Sequence, residues 1–236
     1  MSLMSFNPQF FARSVGGKKG ELYIYQDIGD EAYGGVSARS VRDELKKVGD
    51  VAEMDIFINS PGGEVFEGFA IYNQLMRHPA KKTVFVDGIA ASTASVIMLA
   101  GDRRVVAENA DVMIHDPWGM GYGNARDMLK VADTLDKVRD NILETYVSRT
   151  GYDRKKLSDM MAKETWFNAQ EALSYGFATE VGLSSTAFAA FTMIKKFKNA
   201  PQKYSGVALS HKTRLAEMSM AASAVVRSRA SSEPKT

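Results

Sequence analysis

The sequence lacks cysteine entirely and has only three histidines among its 236 residues. Without cysteine the chain can form no disulfide bond, no thiolate zinc site and no cysteine nucleophile. So few histidines also argue against a His-rich metal cluster. The composition therefore excludes the cysteine-based classes of enzyme, and the absence of cysteine fits a cytoplasmic protein.

The sequence also lacks a large net charge and a long hydrophobic run. The 30 basic and 28 acidic residues leave a formal net charge of +2, which gives no electrostatic reason to bind nucleic acid or an anionic membrane. The longest mostly apolar stretches, 88–101 and 181–194, are shorter than the roughly 20 residues of a membrane-spanning helix. The N-terminus has no basic region followed by an apolar stretch and a cleavage site. We therefore predict no nucleic-acid partner, no membrane partner and no secretion.

The first half of the chain alternates strand patterns with helical patterns. Each predicted strand is followed by a predicted helix. The pairs are 21–28 with 36–50, 54–60 with 65–78, and 83–87 with 91–101. Strands that alternate with helices predict parallel βαβ units, and therefore the α/β class.

The second half begins with shorter elements. Two short strands are predicted at 103–108 and 110–117, and a long helix with one buried stripe at 124–149. A last helix is expected to begin at Asn168, which resembles an N-cap, and to stop at Gly176 before a final short strand.

Composition divides the chain into three parts. Residues 1–20 form a poorly specified N-terminal segment, and 21–183 have the patterns of one compact domain. Residues 184–236, rich in Ala, Ser, Met and Lys, are predicted to be an appendage that is partly helical, near 215–227, or disordered. A segment that binds a partner or serves assembly is the alternative interpretation.

Ser92 is the predicted nucleophile. A hydroxyl is a weak nucleophile unless a base takes its proton and donors hold the oxyanion, so a serine on a strand-to-helix turn is well placed. Ala90 and Ala94 flank Ser92 as glycines flank the serine of a G-x-S-x-G elbow. We expect Ser92 in the first turn of the helix, with the Thr93 N–H as an oxyanion donor. The alternative is that Ser92 and Ser95 are only small residues in a packed helix, and Ser95 is the second choice of nucleophile.

His115 is the predicted general base. It stands at the end of a predicted strand, before a proline and a glycine-rich loop. A hydrogen-bonded structural histidine is the alternative. Asp116 is expected on the opposite face of the strand, and Asp111 lies about 13 Å away by the rise of a strand. The carboxylate that orients His115 should therefore come from elsewhere in the chain.

Two glycines, Gly62 and Gly63, stand between a predicted strand and a predicted helix. Glycine allows backbone N–H groups to approach a bound substrate closely. No lysine follows these glycines in the pattern of a phosphate-binding loop, so a nucleotide site is not predicted here.

Four ordered motifs, INSPGG, DGIAASTAS, VMIHDP and ETWFNAQEALSYGFATEV, closely resemble the Clp protease proteolytic subunit. The resemblance covers residues 21–181 and implies an α/β fold of the Clp protease and crotonase-like kind, a spiral of ββα units with a protruding long helix. It implies serine-type cleavage of polypeptide substrates without a metal or an organic cofactor. It also implies a homo-oligomeric ring in which the helix at 124–149 mediates contacts between rings or subunits.

The resemblance also implies roles for individual residues. Ser92, His115 and Glu164 match the catalytic triad of the family, although the main family has aspartate where Glu164 stands. Gly63 and Thr93 match the residues whose N–H groups form the oxyanion hole.

Four segments look specifically like the phage and prophage branch, the Clp-like head maturation proteases: INSPGGEVFEGFAIYNQL, VDGIAASTAS, MIHDPWG and ETWFNAQEA. That similarity implies cleavage of capsid or scaffold proteins in the cytoplasm of a bacterium or a phage-infected host cell. Residues 6–25 do not resemble the segment with which the housekeeping subunit engages its ATPase ring, so an ATPase partner is not implied.

Three other functions stay open. The crotonase-like acyl-CoA hydratases and isomerases share the spiral fold, and they would need neither Ser92 nor His115. Signal peptide peptidase A uses a serine-lysine dyad and a membrane anchor, and the sequence shows no lysine close to Ser92 and no anchor. A catalytically silent protein that keeps the fold for ring assembly is the third.

Overall fold

A computed structural model describes residues 10–183 and 197–201. This part of the chain forms a mixed α/β fold in which eight strands build one sheet. The strands are β1 (Phe10–Val15), β2 (Lys19–Ile24), β3 (Glu53–Ser60), β4 (Lys81–Ala91), β5 (Arg103–Ala107), β6 (Asp111–Ile114), β7 (Thr165–Asn168) and β8 (Glu180–Gly182). The α-helices are α1 (Ala38–Val48), α2 (Val65–Arg77), α3 (Thr93–Met98), α4 (Ala125–Thr150), α5 (Arg154–Ala162) and α6 (Ala169–Ser174).

The strand order along the sheet is β1, β2, β3, β4, β5, β8, and each neighbouring pair from β2 to β8 is parallel. The predicted parallel βαβ arrangement of the α/β class is confirmed. Strand β1 pairs with β2 in antiparallel fashion and forms one edge. Apolar side chains on one face of the parallel strands, such as Ile56, Val84 and Val106, are fully buried. In β2, β3 and the first half of β4 the residues that alternate with the buried ones are partly exposed, so the core lies against one face of this part of the sheet.

Strand β4 changes partner along its length, and this change positions the functional site. Its first half pairs with β5, and its last residues, Ile89 to Ala91, pair with β6. Strand β6 then pairs with β7 in antiparallel fashion. Because β4 and β6 are parallel and Ala91 lies opposite Met113, the residues that follow the two strands emerge at the same edge of the sheet.

Helix α4 is long and mostly exposed. It begins at the N-cap Asn124, whose side chain accepts hydrogen bonds from two backbone N–H groups, and it ends at Gly151, which has a φ of 69°. Its buried residues are confined to the C-terminal half, Val138 to Tyr146, so the N-terminal half projects from the core. Among the helices of the described residues, none combines the length and the apolar character that a membrane-spanning helix requires.

Several elements differ from the sequence prediction. The strand predicted at 83–87 extends from Lys81 to Ala91, and Ser92, expected in the first turn of α3, precedes that helix. The helix predicted to reach Gly101 ends at Met98. Strands β1 and β7 were not predicted. Strand β1 lies in the poorly specified N-terminal segment and forms an antiparallel hairpin with β2, the next strand in the chain. Strand β7 is defined by antiparallel pairing with β6, which is far from it in sequence, and not by a strong local pattern. The helix predicted at 215–227 lies outside the described residues.

Candidate active site

Ser92 occupies a strained turn between β4 and α3. Its φ is 52° and its ψ is −126°, and its backbone N–H donates to the Met113 carbonyl at 2.9 Å. Of the described residues other than glycine, only Ser92 and Glu164 have a positive φ. Such backbone conformations are costly for side chains with a Cβ and tend to cluster at functional sites. The turn places the Ser92 hydroxyl beside a cleft, on the residue that precedes α3.

His115 lies beside Ser92 because of the pairing of β4 with β6. It follows the last residue of β6, and its Nε2 lies 2.8 Å from the Ser92 Oγ. Burial lowers the pKa of His115 below its ordinary value, and the carboxylates of Glu164 and Asp116 oppose that shift. A neutral imidazole can accept the serine proton through Nε2, so this pair is suited to activate a hydroxyl nucleophile.

The glycine turn after β3 packs directly against the turn of Ser92. A Cβ at Gly62 would lie 2.5 Å from the Ala91 carbonyl oxygen and 2.8 Å from the Ser92 Cβ, so only glycine fits there. Gly63 and Ile28 form an isolated parallel β-bridge. In its two hydrogen bonds, the Ile28 N–H donates to the Gly62 carbonyl and the Glu64 N–H donates to the Ile28 carbonyl. The Gly63 N–H is therefore not used in this pairing.

Thr93 ties these two turns together. Its hydroxyl donates to the Gly63 carbonyl at 3.0 Å, and its own N–H belongs to the first residue of α3, which has no acceptor within the helix. The two amides predicted for the oxyanion hole, those of Gly63 and Thr93, thus belong to segments in direct contact with each other and with Ser92.

The second choice of nucleophile, Ser95, is fully buried. Its hydroxyl bonds the Ser92 carbonyl at 2.6 Å and the hydroxyl of Tyr146 at 2.7 Å. A side chain in this position cannot reach a substrate in the cleft, so the structure argues against Ser95 as nucleophile. Asp116, expected to be a poor partner for His115, instead pairs with Arg139 at 2.6 Å.

Glu164 lies directly before β7, and its carboxylate is held mainly by the backbone of Lys198 and Asn199. Its Oε2 accepts from the Lys198 N–H at 2.9 Å, and its Oε1 accepts from the Asn199 N–H at 2.6 Å and from Trp166 Nε1 at 3.3 Å. Among the described residues, no hydrogen bond joins Glu164 to the ring of His115. The charge of Glu164 nevertheless acts on His115, because it raises the pKa of the histidine and so opposes the effect of burial.

A cleft of about 500 Å³ opens beside Ser92 and His115. Gly63, Pro117 and Phe197 are among the residues that line it. Phe197 was not predicted from the sequence as a site residue, because it lies in the C-terminal part that composition assigned to an appendage. The only local signal was a single aromatic residue in a polar stretch, which by itself does not indicate a site.

The chain is similar to known proteins of one family. The family model described as Clp protease matches residues 18–185. The ATP-dependent Clp protease proteolytic subunit of Oltmannsiellopsis viridis is 30% identical over 168 residues, which cover 69% of this chain and 84% of the relative. Subunit 2 of Thermobifida fusca is 34% identical, with 68% of this chain and 79% of the relative covered.

A further relative, the ATP-dependent Clp protease proteolytic subunit 1 of Protochlamydia amoebophila, is 37% identical over 128 residues. That alignment spans 52% of this chain and 62% of the relative, slightly less than two thirds of its length. The family match over most of the chain, together with the two longer alignments, shows that the chain belongs to the Clp protease family, a family of serine-type peptidases.

Proposed function

We propose that the chain is a serine endopeptidase in which Ser92 is the nucleophile and His115 the general base. The observation that carries this proposal is the 2.8 Å contact between Ser92 Oγ and His115 Nε2 at the edge of an open cleft. His115 takes the hydroxyl proton while Ser92 Oγ attacks the peptide carbonyl carbon. The proton then passes to the leaving amine as the C–N bond breaks, and water hydrolyses the acyl-enzyme through the same histidine.

The N–H groups of Gly63 and Thr93 are the proposed oxyanion donors. Negative charge develops on the carbonyl oxygen during the attack, and donors fixed in advance stabilise it without reorganisation. The hydrogen bond from Thr93 to Gly63 supports this role, because it fixes the two segments relative to one another.

Glu164 is the proposed third member of the triad. With Nε2 facing Ser92, the His115 proton resides on Nδ1, and a nearby carboxylate stabilises both this tautomer and the imidazolium formed during catalysis. The electrostatic effect of Glu164 on His115 supports the role.

The proposed substrates are capsid or scaffold proteins of a phage head, cleaved in the cytoplasm of a bacterium or an infected host cell. The resemblance of four segments, INSPGGEVFEGFAIYNQL, VDGIAASTAS, MIHDPWG and ETWFNAQEA, to the head maturation proteases supports this choice. The proposed peptidase domain is 21–183, which the family match to 18–185 supports, with 184–236 as an appendage. Helix α4, exposed over its N-terminal half, is the proposed contact in a homo-oligomeric ring.

The relatives are named ATP-dependent proteolytic subunits. For this chain we propose cleavage without an ATPase, on the ground that residues 6–25 do not resemble the segment used for ATPase docking. Digestion of an unfolded protein by the purified chain, with no nucleotide or ATPase present, tests this point.

Two measurements test the peptidase proposal. A fluorophosphonate probe is expected to label wild-type protein at Ser92 and to leave Ser92→Ala unlabelled. Mass spectrometry of the protein incubated alone and with candidate capsid proteins is expected to show cleavage products in wild type that disappear in Ser92→Ala and His115→Ala. Digestion that persists in both variants contradicts the assignment, and acyl-CoA turnover that survives in Ser92→Ala would favour the crotonase-like alternative. A wild-type protein that forms rings but is neither labelled nor active would be the silent assembly protein.

A further inference from the structure

A turn at residues 197–200, distant in sequence from the peptidase motifs, packs against the candidate active site. The Phe197 ring meets the His115 ring edge-on, with 5.4 Å between centroids and an interplanar angle of 88°. The Phe197 ring also meets the Trp166 ring edge-on, with 5.8 Å between centroids. Phe197 is 9% exposed and joins a small buried cluster with Ile89 and Met113.

The backbone after Phe197 holds Glu164. The N–H groups of Lys198 and Asn199 each donate to one oxygen of the Glu164 carboxylate, at 2.9 and 2.6 Å. The Asn199 side chain donates to the carbonyl of Lys163 at 2.8 Å, which fixes the turn to the same segment. Hydrogen bonds from backbone N–H groups to both oxygens fix the orientation of a carboxylate.

We propose that the 197–200 turn is a positioning element of the active site: Phe197 orients and shields His115, and the Lys198 and Asn199 amides hold the Glu164 carboxylate in place. This inference rests on the proposed peptidase function. It assigns a role in catalysis to a part of the chain that composition places in the appendage. The residues of the turn act through His115 and Glu164 and are not themselves catalytic.

Two observations favour positioning over inhibition. The Ser92–His115 hydrogen bond is formed while the turn is docked, so the turn does not pull the base away from the nucleophile. The cleft beside these residues also stays open at about 500 Å³, with Phe197 as part of its wall. An inhibitory segment would fill the space that a substrate needs.

The first test compares Phe197→Ala with Phe197→Leu in the full-length chain. Loss of the ring frees the histidine to move, so we expect kcat/KM to fall by about ten- to a hundredfold in Phe197→Ala, mainly through kcat. Phe197→Leu keeps apolar bulk over His115 and is expected to recover most of that loss. A thermal unfolding curve for each variant checks that the fold persists.

The second test removes an amide donor. Lys198→Pro deletes the N–H that holds Glu164 Oε2, whereas Lys198→Ala keeps it, and the two variants share the loss of the lysine side chain. We expect kcat/KM of Lys198→Pro to be about tenfold below that of Lys198→Ala. Equal values in the two variants would overturn the role of the amide.

The third test does not depend on activity. Titration of His115 by NMR in Phe197→Ala is expected to show its pKa moving up toward the ordinary value, because the ring contributes to the burial that opposes the charged form, while Glu164 and Asp116 still favour it. His78, remote from the turn at the end of α2, serves as the internal reference. An unchanged His115 titration, or higher activity in Phe197→Ala, overturns the proposal. If the wild-type protein has no peptidase activity, the proposed function is refuted. In that case the NMR titration of His115 still decides whether the turn buries this histidine.

Discussion

The Thr93 hydroxyl donates a 3.0 Å hydrogen bond to the carbonyl oxygen of Gly63. This bond joins the turn after β3 to the start of α3, which are far apart in sequence. The two residues are also the proposed oxyanion donors. This hydrogen bond adds to the packing of Gly62 against Ala91 and Ser92, and it can be removed without changing the shape of the Thr93 side chain.

Thr93→Val removes that hydroxyl and keeps the branched shape. The net loss of one buried hydrogen bond predicts a fall of about 1–2 kcal/mol in the free energy of unfolding. A shift of the Gly63 segment relative to Ser92 predicts about a tenfold fall in kcat/KM. Denaturant unfolding and peptidase kinetics measure the two effects. Thr93→Ser keeps the hydroxyl and should lose less than Thr93→Val, and equal losses would contradict the role of the bond.

Gly68 of α2 gives a second prediction about Thr93. A Cβ at position 68 would lie 1.7 Å from the Thr93 Cγ2, so Gly68→Ala is expected to destabilise the wild-type protein. In a Thr93→Ser background that methyl group is absent, and alanine is favoured over glycine within a helix by about 1 kcal/mol. We therefore expect a favourable coupling of about 1–3 kcal/mol in a double-mutant cycle followed by denaturant unfolding. Additive effects would show that the close approach of the two residues does not limit packing.

Gly62 and Gly34 form a matched pair that separates backbone strain from close contact. Both have a positive φ, 85° and 80°, but a Cβ at Gly34 meets nothing within 4 Å, whereas one at Gly62 lies 2.5 Å from the Ala91 carbonyl oxygen. Gly34→Ala is expected to lose about 1–2 kcal/mol of stability and to keep its activity. Gly62→Ala should lose more stability and about a hundredfold in kcat/KM, because Ser92 must move. Similar activities in the two variants would rule out the proposed packing constraint.

The pH dependence follows from the environment of His115. The histidine must be neutral to accept a proton, and burial lowers its pKa below 6.5, so the acid limb of kcat/KM should lie below that pH. Glu164 opposes the shift, as does Asp116, which is paired with Arg139. Glu164→Gln removes one of these charges, so the pKa of His115 should fall further and the acid limb should move to lower pH, with a lower maximum. A pH–rate profile that moves to higher pH in this variant would contradict the electrostatic role of Glu164.

Ser95 and Tyr146 test whether the buried serine is only structural. Ser95→Ala leaves the Tyr146 hydroxyl without its Ser95 partner in the core, which predicts a loss of about 1–3 kcal/mol in the free energy of unfolding. Adding Tyr146→Phe removes the orphaned hydroxyl and should restore part of this loss. Labelling of Ser92 by the fluorophosphonate probe should persist in Ser95→Ala. Loss of labelling with an intact fold would reopen Ser95 as the nucleophile.

Local sequence was sufficient to predict secondary structure where one residue or one short pattern specifies the backbone conformation. The alternation of strand and helix patterns predicts the parallel α/β sheet that the structure contains. Asn168 was predicted as an N-cap, and its side chain accepts a hydrogen bond from the Glu171 N–H. These features depend on side-chain periodicity and on capping within a few residues, and both are encoded locally.

The catalytic roles of Ser92 and His115 were predicted from motifs and stay predictions, but their contact could not be derived from local sequence. It depends on β4 leaving β5 for β6, with Ala91 opposite Met113. A register shift of one residue would move the histidine to the other face of the sheet. Pairing between strands that lie far apart in sequence is decided by the packed core as a whole.

Glu164, the proposed third member of the triad, shows most clearly the limit of prediction from sequence. Sequence identified Glu164 by resemblance, yet only the tertiary structure revealed that its oxygens bond to the backbone of Lys198 and Asn199, and that Phe197 covers His115. Nothing local in a polar C-terminal stretch specifies such a contact, because backbone amides are common to every residue and a lone aromatic side chain acquires meaning only from what it packs against. The sequence by itself determined the type of fold and the identity of the reactive serine and histidine as candidates, whereas long-range packing decided which groups surround them.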